Sequence, residues 1–183
     1  MFNDLDEIED NLYLGNFQAS ENIQQLKDLG IIKVLSVIDN DDFPNYKSEG
    51  IIHKKVDVSD FEHQNIIQYF GECLNFIKGE EKVLVHCMAG ASRSATIVIA
   101  YVMWINKMKY EDVLNFVMLK RPIVYPNNGF REQLKIFEKL LVDNNYDIDK
   151  INFSEIKWDL PQYFDDEFIN KEVDNYKKYF ESD

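Results

Sequence analysis

Cysteine is nearly missing from this chain: Cys73 and Cys87 are the only two among 183 residues. Two thiols cannot build a disulfide framework. With three scattered histidines (His53, His63 and His86) they do not form a metal-ligand set either, so neither a metal nor an organic cofactor is expected. Positive charge is also scarce, with 20 Lys and Arg against 33 Asp and Glu and a net charge of −13. A chain this acidic lacks the basic face that non-specific nucleic-acid binding requires, and nucleic acid is not an expected partner. No run of 18 apolar residues occurs, so no membrane span and no membrane partner are expected. Met1-Phe2-Asn3-Asp4 has neither the basic nor the apolar region of a signal peptide, and Phe2 departs from the myristoylation pattern, which needs glycine there. Together these absences point to the cytoplasm, with the nucleus as a second compartment.

What is present is enough apolar material, 45% of residues, for one well-packed core and no second full domain. Residues 12–14 read as a short strand. Ser20 reads as the N-cap of a helix that runs to Leu29 and closes at Gly30. Residues 31–38 and 51–58 read as strands, with a polar loop at 39–45 between them. Helical spacing of Ile66, Ile67, Phe70, Leu74 and Ile77 predicts a helix over 66–78. A strand at 83–85 runs directly into His86-Cys87. Residues 92–107 are small or apolar on every side and predict a buried central helix, followed by helices at 110–119 and 130–141. This alternation implies an α/β fold: a central, mostly parallel sheet of about five strands flanked by helices. A tight loop, residues 87–93, lies between a central strand and the buried helix.

The chemistry concentrates in residues 83–94, VLVHCMAGASRS. A strand ends at Cys87, a seven-residue turn runs to Arg93, and a helix begins. A tight turn of this kind gathers backbone N–H groups, and with the helix dipole it suits a phosphate-sized dianion. Met88, Ala89, Gly90, Ala91 and Ser92 form its interior, and their small side chains allow close curling. Arg93 can fork two hydrogen bonds onto phosphoryl oxygens. Cys87 sits in the centre of this positive field, which favours the nucleophilic thiolate, aimed at a phosphorus about 3 Å away. His86 is expected to hold the loop by hydrogen bonds rather than to act as acid or base. Cys73 is expected to be a core residue, with a redox partnership to Cys87 as the alternative.

His86-Cys87-x5-Arg93-Ser94 matches the signature of the cysteine-dependent protein phosphatases, and HCMAGASRSAT resembles that of the dual-specificity phosphatases in particular. The resemblance covers about residues 8–141. It includes Leu12-Tyr13-Leu14-Gly15, Arg121-Pro122, Pro126-Asn127 and Gly129-Phe130 with Gln133-Leu134. It implies that these blocks, Asn127 among them, flank and support the catalytic loop, and that the substrates are phosphorylated proteins. It also implies a general acid on an upstream loop. Asp57 and Asp60 are both candidates. Asp60, 27 residues before Cys87, is preferred because it opens the polar loop before Ile66, whereas Asp57 falls within the strand reading. Ser94 is placed to donate to the Cys87 sulfur and assist its departure. The turn interior contains no lysine, which disfavours phosphoinositide substrates. RNA triphosphatases of related fold also prefer other residues in this loop, and a phosphoinositide, sugar or RNA phosphate as substrate, or a phosphate-binding module without turnover, stands as the alternative.

The catalytic domain is expected over 5–143, followed by an acidic, aromatic-rich extension at 144–183. Residues 143–183 carry 12 acidic and 5 basic side chains and nine aromatics. Asp159-Leu160-Pro161 resembles a helix start. Phe164, Phe168, Ile169, Val173, Tyr176 and Phe180 would then form one apolar stripe on a helix over 162–180. That stripe is expected to pack on the catalytic domain, with a partner or a second copy of the chain as alternatives.

Overall fold

A computed structural model describes residues 3–158. The helix expected over 162–180 lies outside the described residues. Five strands form one sheet: β1 (Leu5–Glu9), β2 (Leu12–Gly15), β3 (Ile31–Val37), β4 (Ile52–Val56) and β5 (Lys82–His86). Their order is β1-β2-β5-β3-β4, with β1 antiparallel to β2 and all other pairs parallel. β5 is therefore central, and its carboxyl end is the place where an open α/β sheet holds its ligand.

The inner strands β2, β3 and β5 bury both faces, as strands of parallel sheets do. On one face Leu12, Leu14, Val83, Val85, Leu35 and Val37 join the larger core. This core is closed by α3 (Phe70–Ile77), α4 (Arg93–Asn106), α5 (Tyr110–Lys120) and α6 (Asn128–Asp143). On the other face Tyr13, Leu84 and Val34 stand side by side in register. They pack with Ala19 and Leu26 of α1 (Phe17–Glu21) and α2 (Ile23–Leu29). α4 is apolar almost all round because it runs through the centre, with ten of its residues buried.

Four local expectations are corrected. Ser20 caps nothing: it lies inside α1, and its hydroxyl donates to Phe17 O at 2.7 Å. Two helices replace the single one, capped by the side chains of Asn16 and Asn22, while Gly30 closes the second as expected. The helix from residue 66 starts as a 3-10 turn, Ile67–Tyr69, before α3. β4 ends at Val56, so Asp57 lies beyond the strand and not within it. Cys73 is buried in the larger core, where burial pushes its thiol well up from the usual range. Residues 144–158 also pack against this core, through Ile148 and Phe153.

Candidate active site

The turn from Cys87 to Ser92 leaves the end of β5 and enters α4, and its shape follows from where its carbonyls go. Cys87 O faces His86 Nδ1 at 3.4 Å. Met88 O accepts from Phe17 N at 3.1 Å and Ala91 O from Tyr125 N at 2.8 Å. Ala89 O and Gly90 O accept from Arg121 NH2 and Nε at 3.2 and 3.0 Å. Ser92 O accepts from Thr96 N and Oγ1, both at 2.8 Å. Six consecutive carbonyls are thus held from outside the turn. The N–H groups on the other side of these peptides line the concave side, the arrangement that binds anions. Gly90 has φ +69°, and a Cβ there would collide with the Gly15 carbonyl, so the approach of turn to β2 requires glycine.

Cys87 Sγ is buried and receives two hydrogen bonds, from Gly90 N at 3.3 Å and Ser94 Oγ at 3.2 Å. Arg93, the first residue of α4, lies 8% exposed with its guanidinium folded back over the turn. Its NH1 donates to Val58 O and Asp39 Oδ1, both at 3.2 Å, and its Nε lies 3.6 Å from Asp60 Oδ2. That Nε is buried and makes no hydrogen bond among the described residues. Asp60 Oδ1 accepts from Ser92 Oγ at 2.7 Å and Asn127 Nδ2 at 2.9 Å. Asp57 turns away into an ion pair with Lys55 at 2.6 Å. Asp60, Ser92, Arg93 and Asn127 therefore converge above the Cys87 turn, and Asp57 does not join them.

His86 is fully buried beneath the turn. Its Nδ1 faces a carbonyl, which can only accept, so Nδ1 carries the proton. Nε2 then accepts from the Ser36 hydroxyl at 2.6 Å, and Ser36 Oγ accepts from His53 Nε2 at 2.8 Å. Burial holds His86 down to a pKa of about 4, with nearby His53 adding to the effect and the Cys87 carbonyl opposing it. Its depressed value gives a signed prediction. Between pH 6.5 and 4 the unfolded chain protonates this imidazole and the folded one does not, so stability falls as pH falls. The full loss is about 3 kcal/mol, or about 6–12 °C in melting temperature for a domain of this size. His86→Asn, which keeps a donor toward Cys87 O, should flatten the fall in melting temperature over that interval. An unchanged slope in the variant would exclude His86 as its source.

Three contributors were not legible in the sequence. Asp39 stands in a loop of several carboxylates, and nothing in its spacing marks it as the Arg93 partner. The Ser59 hydroxyl, its own backbone and Arg93 hold its carboxyl below the usual range. Phe17 and Tyr125 act through main-chain N–H groups, which any residue supplies. Arg121 carried a signal, since Arg121-Pro122 is one of the blocks expected to support the catalytic loop. Only 1% exposed, it pairs with Asp6 on β1 at 2.6 Å while bracing the turn.

Comparison with known proteins agrees with this geometry. The dual specificity phosphatase catalytic domain matches residues 12–140. Dual specificity protein phosphatase 22 of Homo sapiens is 38% identical over 144 residues, which are 76% of this chain and 76% of that protein. MAP kinase phosphatase with leucine-rich repeats protein 1 of Dictyostelium discoideum is 40% identical over 137 residues, 73% of this chain but 16% of that protein. The crystal structure of DUSP15 superimposes with a TM-score of 0.72 at 33% identity, covering 78% of this chain and 92% of that one. A strand, a Cys-x5-Arg turn and a buried helix with these partners define a cysteine-based phosphatase. The chain belongs to the dual-specificity phosphatase family, and its fold is the α/β sheet expected from the sequence.

Proposed function

We propose that the chain hydrolyses phosphotyrosine and phosphoserine or phosphothreonine on proteins of the cytoplasm and nucleus, signalling proteins among them. In this reading Cys87 is the nucleophile, Arg93 the phosphate clamp, Asp60 the general acid and Ser94 the group that assists thiolate departure. The observation that carries it is the sulfur's position: Cys87 Sγ lies under two donors, Gly90 N and Ser94 Oγ, with Asp60 held across the same turn.

A phosphomonoester dianion seats its oxygens on the turn's N–H groups and on Arg93, whose Nε is a buried donor suited to such an acceptor. Cys87 attacks phosphorus in line, and the bond to the leaving oxygen breaks as Asp60 gives that oxygen a proton. The product is a cysteinyl phosphate and a free hydroxyl. Asp60, now a carboxylate, takes a proton from water as the water attacks phosphorus. The S–P bond breaks, the electron pair returns to sulfur, and the Ser94 hydroxyl stabilises the thiolate.

Two features favour phosphoproteins over multiply phosphorylated lipids or RNA. Residues 88–92 carry no basic side chain. Asp39 and Asp60 flank the guanidinium, so the rim of the pocket repels further phosphates. The two cysteines, both unpaired, suit a reducing compartment. A panel of phosphotyrosyl and phosphothreonyl peptides set against phosphoinositides tests the substrate class. Peptide turnover should exceed lipid turnover in kcat/KM, and the reverse order would overturn the reading.

A further inference from the structure

The loop that carries Asp60 has little to hold it in place by itself. Phe61 is 59% exposed and stacks on exposed His63 at 5.5 Å, away from the core. One internal main-chain hydrogen bond, Gln64 N to Phe61 O at 3.0 Å, closes a turn. The loop's far end is fixed by α6. Buried Gln133 accepts through Oε1 from Ile66 N and Ile67 N at 2.9 and 3.0 Å, and donates through Nε2 to Gln64 O at 2.9 Å. Nearer Asp60, the Ser59 hydroxyl donates to Asp39 at 2.9 Å and Gly129 of α6 packs against the Glu62 main chain, but no hydrogen bond from residues 12–140, the span of the family's catalytic domain, is made to the Glu62 carbonyl.

Further support comes from the chain beyond residue 140. After α6, residues 144–158 run back across the domain through two 3-10 turns, Ile148–Lys150 and Phe153–Glu155. Trp104 Nε1 donates to Tyr146 O at 3.0 Å, and Ile148 is buried. Phe153 inserts its ring over Gly71, where a Cβ would come within 2.7 Å of it, and packs at 6.0 Å from Phe137. From this anchor the strap reaches the acid loop twice. Asn65 Nδ2 donates to Ile156 O at 2.8 Å, and Trp158 Nε1 donates to Glu62 O at 2.7 Å. The second bond fixes a main-chain carbonyl two residues from Asp60. Half-buried Trp158 combines an apolar body with a single donor, which suits it to pin a loop at the surface.

We propose that residues 152–158 are a positioning element for the general acid: Trp158 and Ile156 hold the 60–65 loop so that the Asp60 carboxyl stays over the Cys87 turn. The inference rests on Asp60 being the acid. A misplacement of about 1 Å in such a group is enough to cost one to two orders of magnitude in rate. Only steps that need the acid should suffer.

The test uses Trp158→Ala and Trp158→Phe in the full chain, with a series of aryl phosphates of graded leaving-group pKa. Trp158→Phe keeps the ring's packing and removes the donor, so it stays informative if the alanine variant folds poorly. Both variants should lose about tenfold in kcat on poor leaving groups. Good leaving groups should be little affected, and KM should hold. In an Asp60→Asn background neither change should add to the leaving-group slope. A uniform loss across the series, or no loss, would overturn the strap's role while Asp60→Asn still steepened the slope. If Asp60→Asn left the slope flat, the acid assignment itself would fail and the strap's role with it.

Discussion

Cys87→Ser should abolish turnover while leaving phosphopeptide binding largely intact. A serine hydroxyl at this position keeps the size of the thiol and can still accept from Gly90 N and Ser94 Oγ, the two donors that meet the sulfur. The turn is held through its six carbonyls by Phe17, Tyr125, Arg121, Thr96 and His86, none of which touches residue 87's side chain, so the anion site survives. The change is electronic. A hydroxyl is far less acidic than a thiol, and among the described residues no base is hydrogen-bonded to residue 87's side chain to take its proton. His86 cannot serve, since its Nδ1 proton points to the Cys87 carbonyl and its Nε2 is taken by Ser36. Turnover on an aryl phosphate and affinity for a phosphopeptide, measured on the same variant, check both halves. Near-normal turnover would remove Cys87 from the mechanism.

The second large effect is expected at Asp60. Asp60→Asn keeps an oxygen to accept from Ser92 and Asn127, so the loop should remain in place, but it has no acidic proton to give. Loss of a general acid costs about 10²–10⁴-fold, and the cost falls on leaving groups that depart poorly as anions. Phosphoserine and phosphothreonine, which leave as alkoxides, should lose most. Activated aryl phosphates should lose least. The competing carboxylate, Asp57, forms a surface ion pair with Lys55 at 2.6 Å, a contact worth little to stability when exposed. Asp57→Asn should therefore leave the leaving-group dependence unchanged. The opposite pattern in the two variants would transfer the acid role to Asp57.

Much of the fold was legible because its strands and helices bury continuous faces. The runs at 31–38 and 83–85 are apolar on both sides and can only be interior strands, and the all-apolar helix after Arg93 can only be central. β1 escaped notice because Leu5-Asp6-Glu7-Ile8-Glu9 sits at the sheet edge, where Ile8 alone of the five is buried and charge interrupts any pattern. The break between α1 and α2 was missed because Ser20 and Asn22 are both capping residues and spacing does not rank them. Asn22 wins because its side chain reaches Gln25 N. In the site, the signature turn declared itself through residue types that chemistry demands: a thiol, a guanidinium and small residues between them. What supports the turn declared itself only in part: His86, Arg121 and Asn127 were marked in the sequence, and the rest is main chain. Phe17 and Tyr125 each present a main-chain N–H, the Ile156 carbonyl of the strap accepts from Asn65, and the Glu62 carbonyl of the loop accepts from Trp158 Nε1. Such contacts leave little trace in side-chain identity.

The most direct test of the cysteine mechanism is to quench turnover of a phosphorus-labelled, activated aryl phosphate, whose leaving group needs no acid, within one catalytic cycle. Asp60→Asn is the suitable background, because loss of the base also slows hydrolysis of the intermediate. After proteolysis, the label should appear on the peptide that contains Cys87, as a cysteinyl phosphate whose amount matches the burst of released phenol. Label on another residue, or turnover with no burst and no labelled Cys87, would contradict the account.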